Sequence, residues 1–410
     1  MNSSDAGPSV SAASVDARIP ILYLLTDEIS SVLVRGQLGY LHEHGFNVTV
    51  AARRADPDDP PEPGKWDHGV TVEHVPFVRE PSPIADLRAL WATIRLIRVI
   101  RPTIVNASTP KAGLLGSGAA WLCRVPVRVY VVRGFRFETA TGWRRRLFRS
   151  LEWLAIRCAN HVIFNSRSLM AVGEAEGVIR PGRGEVIGAG SGNGIDVSRF
   201  ADDQLPTREA ARAQFGLPED ADVVGFVGRF TKDKGIEDLV EVFETLPADA
   251  ARQPDNGEPA SLWLLLVGQF EAGDPVTANT RRTIEQHERI VVVPWLERTG
   301  VAYRAMDVLA FPSYREGLPN VPLEAQLCGI PVVGYAATGS VDAVDAGGRL
   351  VRVGDAAGLT AALDGLLSDP GEAERLGSAG YRQVRERFAR ELVWSALAQR
   401  LTRACAASLT

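Results

Sequence analysis

The pattern that decides the fold lies in the stretch Phe311-Pro-Ser-Tyr-Arg-Glu316-Gly-Leu-Pro-Asn320-Val-Pro-Leu-Glu324-Ala. It follows an apolar run from Val308, which predicts a buried strand. A Gly/Pro loop comes next, and then we expect a helix with Asn320 as its N-cap and Glu324 in its first turn. Strand, loop and helix in this order indicate an α/β unit, with Glu316 and Glu324 placed near the positive end of the helix.

A second segment, Gly225-Phe-Val-Gly228-Arg229-Phe-Thr-Lys-Asp-Lys234-Gly235, has the same organisation. A strand ends at Gly228, a cationic loop follows, and a helix is expected to begin near Gly235. Arg229 can bind a diphosphate as a fork and Lys234 as a point charge, while carboxylates suit the hydroxyls of a neutral sugar. Each segment alone also fits an ordinary turn with a dipole-complementing acid or solvated cations. Together, at the carboxyl ends of strands in one domain, they favour a nucleotide-sugar site.

Strands alternate with helical patterns along the rest of the chain, which predicts βαβ units and parallel sheets. The first series contains strands at 19–25, 48–52, 103–106, 128–132 and 161–165 and helices at 32–44, 85–100, 112–122 and 143–158. The second series contains strands from 223 and at 262–267, 290–293, 308–311 and 332–335. Two doubly wound α/β domains, joined by a loop from about 188 to 206, are therefore expected.

Length and composition agree with this architecture. The chain has 410 residues, 45% hydrophobic and 23% charged, which is ordinary for two or three globular domains of about 150 residues each. No apolar run reaches the ~18 residues of a membrane span. Four scattered cysteines and six histidines show no metal-ligand spacing, so free thiols in a reducing cytoplasm and no metal site are expected. Residues 1–17 lack a basic n-region and are expected to form a disordered tail.

The charge is divided unevenly along the chain. Residues 1–200 carry 24 Lys and Arg against 19 Asp and Glu, a net charge of +5, and the remaining residues carry 21 against 31, a net charge of −10. Two predicted helices, 85–100 and 143–158, combine arginines with aromatic residues. Such helices suit an anionic membrane surface, although a solvated face of an ordinary α/β helix fits equally well. The overall charge of −5 and the absence of a recognition motif argue against nucleic acid.

The two segments together resemble glycosyltransferase family 4, a family of retaining enzymes with the GT-B fold. Glu316 and Glu324 match the family's E-x(7)-E pair, and the loop from Gly228 to Lys234 matches its diphosphate site. Three further stretches are similar to members that build bacterial capsule, O-antigen and lipid-linked glycans, and they lie at 105–116, 132–139 and 192–200. The resemblance covers roughly residues 18–400. It implies two Rossmann-like, parallel-sheet domains that face a cleft.

The resemblance also implies a division of labour. An N-terminal domain over 18–195 would bind the acceptor, a C-terminal domain over 196–387 would bind the nucleotide-sugar, and a last helix, about 388–410, would pack back on the first domain. The implied reaction moves a hexose or N-acetylhexosamine from a UDP-sugar to a glycan or lipid-linked acceptor, for cell-surface polysaccharide or glycoconjugate synthesis. The implied location is cytoplasmic or peripheral on the inner face of the cell membrane. No metal or cofactor is expected, because cations in the site take that role.

Specific residues are carried over by their match to the family. The expected catalytic residues are Glu316, which would contact the donor sugar, and Arg229 and Lys234, which would stabilise the departing diphosphate. Glu324 would hold the ribose hydroxyls. The other expected donor-binding residues are Gly228, Trp295, Leu296, Gly317, Leu318 and Asn320. The acceptor is expected near Ser108, Thr109, Lys111 and Arg133.

One departure from the family concerns histidines. Many relatives have a His-Gly motif where this chain has Arg133-Gly134, and a Val-His-x-His stretch where it has Asn106 and Ser108. No histidine base is therefore expected at these positions, which fits a retaining transfer in which the leaving phosphate takes the acceptor proton. Whether Arg133 contacts that phosphate or the acceptor is open.

Three other classes of function are compatible with parts of the pattern. A nucleotide-sugar epimerase of similar two-domain shape would need acid and base groups around the sugar and would use no acceptor. A retaining glycosidase would need its two carboxyl groups about 5 Å apart and would have no use for Arg229 and Lys234. A sugar-nucleotide sensor would bind without turnover.

Overall fold

The computed structural model describes residues 18–54, 65–78, 82–190, 192–246 and 261–408. The predicted tail at 1–17 lies outside these ranges. Two parallel sheets, each flanked by helices, organise the described chain. This confirms the prediction of two doubly wound α/β domains.

Seven strands lie in the described residues of the N-terminal domain. They are β1 (Ile19–Asp27), β2 (Phe46–Arg53), β3 (Thr71–His74), β4 (Ile104–Ser108), β5 (Val127–Val132), β6 (His161–Phe164) and β7 (Gly184–Val186). All are parallel, in the order β3-β2-β1-β4-β5-β6-β7. The helices are α1 (Gln37–Glu43), α2 (Pro83–Ile100), α3 (Pro110–Leu122), α4 (Gly142–Cys158) and α5 (Arg167–Ala175).

The part of the C-terminal domain that the structure describes contains six strands. They are β8 (Asp222–Val227), β9 (Leu262–Val267), β10 (Ile290–Val293), β11 (Val308–Phe311), β12 (Val332–Tyr335) and β13 (Gly348–Val351), all parallel in the order β10-β9-β8-β11-β12-β13. Its helices are α6 (Arg208–Phe215), α7 (Ile236–Thr245), α8 (Ala278–Gln286), α9 (Gly300–Ala305), α10 (Asn320–Leu327), α11 (Ser340–Val344), α12 (Ala356–Ser368) and α13 (Pro370–Arg387). Because β8 and β11 are neighbours, the loops that follow them meet at one edge of the sheet.

The last helix, α14 (Arg390–Ser408), returns to the N-terminal domain. Its residues Leu397 and Leu401 are buried in the same apolar cluster as Tyr23 of β1. Where α14 passes the first domain, Trp394 lies against Gly36, and a Cβ atom on Gly36 would come within 2.5 Å of the Trp394 ring. Gly36 has a φ of +79°, so both its conformation and its neighbour require glycine.

Two local predictions were wrong. The helix predicted at 32–44 is a 3-10 turn (Glu28–Leu33), a break at Gly36 and the shorter helix α1. The N-cap of α10 is Pro319, so Asn320 is the first helical residue and Glu324 lies in the second turn. Helix α1 therefore begins after the predicted start, whereas α10 begins one residue before it.

A buried carboxyl group gives the N-terminal domain a testable pH dependence. Glu152 of α4 is 7% exposed and accepts a hydrogen bond of 2.9 Å from the Tyr130 hydroxyl. Burial raises the pKa of Glu152 from 4.5 to about 7. Because the folded chain holds this proton more tightly than the unfolded chain, the stabilisation is complete below about pH 4.5 and is lost as the pH rises through about 7.

We therefore expect Glu152→Gln to be more stable than wild type by about 3 kcal/mol at pH 8, since glutamine stays neutral and still accepts the bond from Tyr130. The difference should close as the pH falls towards 5. Urea unfolding followed by tryptophan fluorescence at several pH values measures this. A difference that does not change with pH would contradict the assignment.

Candidate active site

The predicted lysine and the first glutamate form an ion pair where β8 and β11 end. Lys234 Nζ donates to Glu316 Oε1 at 2.5 Å, and Ser313 Oγ donates to the same oxygen at 2.7 Å. The two charged side chains are 20% and 13% exposed, so the pair is largely shielded from water. Both donors use Oε1. Among the described residues Glu316 Oε2 makes no hydrogen bond, so it can accept one from a sugar hydroxyl.

Close backbone packing brings these two loops together. Gly235, with a φ of +69°, lies so near the loop after β11 that a Cβ atom would come within 2.0 Å of the Pro312 carbonyl oxygen. Gly228 also has a positive φ, +155°. A side chain at Gly235 would push the Lys234 loop away from Glu316. The glycine therefore permits the 2.5 Å pair.

Arg229 is placed differently. Its guanidinium is 48% exposed, donates to Glu271 and lies 3.9 Å from Asp233. An exposed pair of this kind stabilises a protein by about 0–1 kcal/mol. A diphosphate with two charges could therefore compete with Glu271 for the arginine at little cost. The structure places Arg229 on the same loop as Lys234, but it does not bring Arg229 into contact with Glu316.

Glu324 occupies a second polar pocket of the same domain. Its Oε2 accepts hydrogen bonds from Thr299 Oγ1 at 3.0 Å and from the Tyr303 hydroxyl at 3.1 Å. Burial raises the pKa of Glu324, and the two hydrogen bonds oppose that rise. Among the described residues Oε1 makes no hydrogen bond. The carboxyl group is thus fixed through one oxygen and can accept a ribose hydroxyl with the other.

The remaining predicted donor residues divide between surface and core. Trp295 is 58% exposed on the loop after β10, and Leu296 beside it is partly buried. Asn320 is exposed at the start of α10, whereas Leu318 is buried in the domain core. Gly317 lies under the N-terminal domain, since a Cβ atom there would come within 1.7 Å of the Arg133 carbonyl oxygen. The loop that carries Glu316 therefore touches both domains.

The predicted acceptor residues do not form one cluster. Thr109, which has a φ of +124°, is held by Thr26 through a 2.8 Å contact between the two hydroxyl oxygens. Lys111 donates to Asp86 at 2.6 Å across two helices. Both side chains therefore have structural partners. Ser108 is buried and donates to Asn106 at 3.0 Å.

Arg133 and Ser108 line one small cavity below the carboxyl edge of the N-terminal sheet, with Gln37, Asn106 and Asn165 among the other lining residues. Arg133 donates only a long bond, 3.4 Å, to the Leu33 carbonyl, and its Nε has no hydrogen-bond partner among the described residues. Burial lowers the pKa of Arg133 to about 10, so it stays charged at neutral pH. The guanidinium therefore points into the N-terminal domain.

Several residues of the site were not predicted from the sequence. Ser313 lies inside the quoted stretch, but serine in a loop carries no distinctive signal. Thr299 and Tyr303 lie about 20 residues before Glu324, on the turn into α9 and on α9 itself, and their contact with it depends on tertiary packing. Glu138 lies within the stretch 132–139 that resembles the family, but no role was predicted for it.

Within the described ranges, no group of three or more His, Cys, Asp and Glu residues is arranged to hold a metal ion. In the same part of the chain, no helix combines the length and the hydrophobicity that crossing a bilayer requires.

Comparisons with known proteins agree with this geometry. Residues 207–383 match the family model "Glycosyl transferases group 1", and residues 31–190 match the "Glycosyl transferase 4-like domain". The capsular polysaccharide biosynthesis glycosyltransferase CapM of Staphylococcus aureus is 30% identical over 379 residues, which span 92% of this chain and 95% of CapM. The UDP-Gal:alpha-D-GlcNAc-diphosphoundecaprenol alpha-1,3-galactosyltransferase of Escherichia coli is 28% identical over 65% of this chain and 66% of that protein.

Solved structures support the architecture. Sucrose-phosphate synthase from Thermosynechococcus elongatus superposes with a TM-score of 0.78 at 24% identity, over 95% of this chain and all of that one. HepE from Anabaena, solved in complex with UDP, superposes with a TM-score of 0.71 at 19% identity, over 94% of this chain and all of HepE. At these identities the likeness concerns the fold, and it confirms the predicted GT-B architecture.

Proposed function

The chain belongs to the group 1 glycosyl transferases, and on this premise we propose that it transfers a hexose or N-acetylhexosamine from a UDP-sugar, with retention, to a glycan or lipid-linked acceptor. The product would enter cell-surface polysaccharide or glycoconjugate synthesis. The names of CapM and of the E. coli galactosyltransferase support this choice of pathway and acceptor. The UDP bound to HepE supports the choice of nucleotide.

The observation that carries the proposal is the Lys234–Glu316 pair at 2.5 Å. A lysine ammonium has three donors, so Lys234 can keep Glu316 in place and still donate to a phosphate oxygen. Glu316 in turn has Oε2 for a sugar hydroxyl. The pair therefore places a cation that can bind the diphosphate beside a carboxylate that can bind the sugar. A nucleotide-sugar contains both of these groups.

The reaction breaks the bond between the anomeric carbon and the diphosphate oxygen and forms a bond to the acceptor oxygen. Negative charge grows on the departing diphosphate, and Lys234 and Arg229 would stabilise it there. The acceptor proton would pass to the leaving phosphate oxygen, because this chain has Arg133 and Ser108 where many relatives have histidines. We propose that the cations make a bound metal unnecessary. Donor turnover that persists in excess chelator would support this part of the proposal, and loss of turnover restored by Mg²⁺ would refute it.

Separate roles for the two glutamates give a direct test. We expect Glu324→Gln to weaken binding of UDP by about 10- to 100-fold, because the ribose hydroxyls lose a charged acceptor. Glu316→Gln should leave UDP affinity nearly unchanged and should lower turnover of the UDP-sugar, since only the sugar touches it. Calorimetric titration with UDP, alongside steady-state kinetics with the UDP-sugar, separates the two effects. Equal losses of UDP affinity in both variants would contradict the assignment of Glu324 to the ribose and Glu316 to the donor sugar.

A membrane surface is a further part of the proposal. Helix α3 packs between α2 and α4, so the two arginine-rich helices lie on one side of the N-terminal domain. Exposed tryptophans follow one another across this side, at Trp91, Trp121 and Trp143. The two acidic residues of these helices are both engaged, Asp86 with Lys111 and Glu152 with Tyr130. A surface of exposed aromatics and arginines suits anionic lipid.

We expect the protein to co-sediment with vesicles rich in anionic lipid, and the binding to weaken as salt rises from 0.1 M to 1 M, where the Debye length falls from about 10 Å to about 3 Å. Replacing three exposed arginines of α4 with serine should remove about 1 kcal/mol of attraction per residue; they are Arg144, Arg146 and Arg149. The matched control replaces three exposed arginines of the other domain, Arg282, Arg289 and Arg382. Sedimentation that is absent, or that is equally weak in both triple variants, would mean that the α4 arginines form a merely solvated face.

A further inference from the structure

One short segment of the C-terminal domain makes four hydrogen bonds to three residues of the N-terminal domain. This segment, Thr338–Asp342, follows β12 and includes the first turn of α11. We call it the clasp. Its contacts reach Glu138, on the loop after β5, and Arg167 and Ser168, the first two residues of α5. The clasp therefore spans the boundary between the two sheets.

The carboxylate of the clasp caps a helix of the other domain. Asp342 accepts hydrogen bonds from the backbone N–H groups of Arg167 and Ser168, each at 3.1 Å. Within its own domain, α5 is capped by Ser166, whose hydroxyl accepts from the Leu169 N–H at 3.2 Å. The two caps together satisfy three of the N–H groups at the positive end of α5. A carboxylate at this position is favoured by the helix dipole as well as by the hydrogen bonds.

Two further bonds hold the same boundary. The Gly339 N–H donates to Ser168 Oγ at 2.8 Å. Thr338 Oγ1 donates to Glu138 Oε1 at 2.6 Å, and burial raises the pKa of Glu138. Glu138 Oε2 is buried and has no hydrogen-bond partner among the described residues. Burying a carboxyl group in this way is unfavourable by itself. Because Thr338 and Glu138 belong to different domains, their hydrogen bond forms only when the two domains are closed.

The clasp also supports the loop that carries Glu316. The Glu316 N–H donates to the Thr338 carbonyl at 3.2 Å. Gly339 lies so close that a Cβ atom on it would come within 2.7 Å of the Gly317 carbonyl. From the other side, Gly317 lies under the Arg133 carbonyl of the N-terminal domain. The Glu316 loop is thus enclosed between the clasp and the first domain.

We infer that the clasp couples closure of the two domains to the placement of Glu316, with Asp342 and Glu138 as positioning residues. When the domains separate, Asp342 loses the α5 cap and Thr338 loses Glu138. The segment whose Thr338 carbonyl accepts from the Glu316 N–H then loses its contacts to the N-terminal domain. The catalytic part of this inference rests on the proposed role of Glu316, whereas the interdomain contacts do not.

Asp342→Ala tests the coupling. Loss of a helix-capping carboxylate corresponds to a factor of about 5 to 10 in an equilibrium, so the equilibrium constant for domain closure should fall by about that factor and the turnover of the UDP-sugar should fall with it. Affinity for UDP should stay unchanged, because its proposed contacts lie within the C-terminal domain. Hydrogen exchange measured by mass spectrometry should show faster exchange at the amides of Arg167 and Ser168.

The matched control is Asp355→Ala. Asp355 caps α12 by accepting from the Gly358 N–H at 2.9 Å, so it has the same chemistry within a single domain. It should change neither α5 exchange nor turnover. Glu138→Gln, which keeps an acceptor for Thr338, should keep most of the turnover that Glu138→Ala loses.

The outcomes separate this inference from the proposed function. Faster α5 exchange together with lower turnover and intact UDP affinity supports the coupling. Unchanged α5 exchange in Asp342→Ala overturns it, as does a parallel loss of UDP affinity, which would indicate a defect confined to the donor domain. If the wild-type protein turns over no nucleotide-sugar but Asp342→Ala still shows faster α5 exchange, the interdomain contacts of the clasp are supported and the proposed function is refuted.

Discussion

Replacing Lys234 with alanine is expected to lower the turnover of the UDP-sugar by about 100-fold or more, the loss seen when one preorganised charge-stabilising group is removed from an active site. Two effects combine in this variant. The departing diphosphate would lose one of its two proposed cations, and Glu316 loses the partner that holds Oε1 at 2.5 Å. Steady-state turnover at saturating donor measures the effect. Arg229→Ala is expected to lower turnover to a similar extent.

The matched control for this prediction is Lys232→Ala. Lys232 lies on the same loop and carries the same charge, but its side chain is exposed. We expect its turnover to stay close to wild type. If Lys234→Ala and Lys232→Ala lose turnover equally, the loop contributes only a general positive field, and the role assigned to Lys234 is wrong.

The second large effect is expected on stability. Arg212 is 1% exposed and donates to Asp307 at 2.7 Å and to the carbonyl oxygens of Glu219 and Ala221 at 2.5 and 2.7 Å. Asp307 also accepts from the Val223 N–H at 2.8 Å. We expect Arg212→Met to destabilise the C-terminal domain by about 3–5 kcal/mol, because a buried carboxylate loses its main partner. Urea unfolding, with loss of UDP binding as the second readout, measures this.

Arg208 provides the comparison for Arg212. It also pairs with Asp307, but its side chain is 37% exposed. Since partly exposed pairs contribute about 0–1 kcal/mol, Arg208→Met should be much less destabilising than Arg212→Met. Similar losses in the two variants would show that burial does not decide the strength of this network.

Four strands of the second domain could be predicted to the residue. The apolar runs at 262–267, 290–293, 308–311 and 332–335 match β9, β10, β11 and β12. Strands that are covered on both faces of a parallel sheet appear as continuous apolar runs with clear ends. The short strands β3, β7 and β13 were missed because they lie at sheet edges and their polar residues or glycines leave no continuous apolar run.

The break within the predicted helix at 32–44 could not be predicted in the same way. Gly36 adopts a positive φ where Trp394 packs against it, and Trp394 is more than 350 residues away in the sequence. Local propensity does not report a contact at that separation. The tertiary contact therefore outweighs a helical pattern that would otherwise continue.

For the candidate site, the sequence predicts which residues take part and which strands they follow. It does not predict which of these side chains contact one another. Lys234 and Glu316 meet because β8 and β11 are adjacent, which depends on the strand order. Lys111 was predicted to face the acceptor, yet it pairs with Asp86, 25 residues earlier. The clasp was missed altogether, because a helix of one domain capped by an acid of the other leaves no local pattern.

The measurement that tests the central claim most directly is a thermal-shift panel of UDP-, GDP-, dTDP- and ADP-sugars on the wild-type chain and Lys234→Ala. A ligand at 100 times its Kd stabilises the folded state by about 2.7 kcal/mol. We predict that UDP-sugars raise the unfolding midpoint of the wild type most, and that the shift is much smaller in Lys234→Ala. A wild-type midpoint that no nucleotide-sugar raises, or an equal shift in both proteins, would contradict the claim that this site binds the donor.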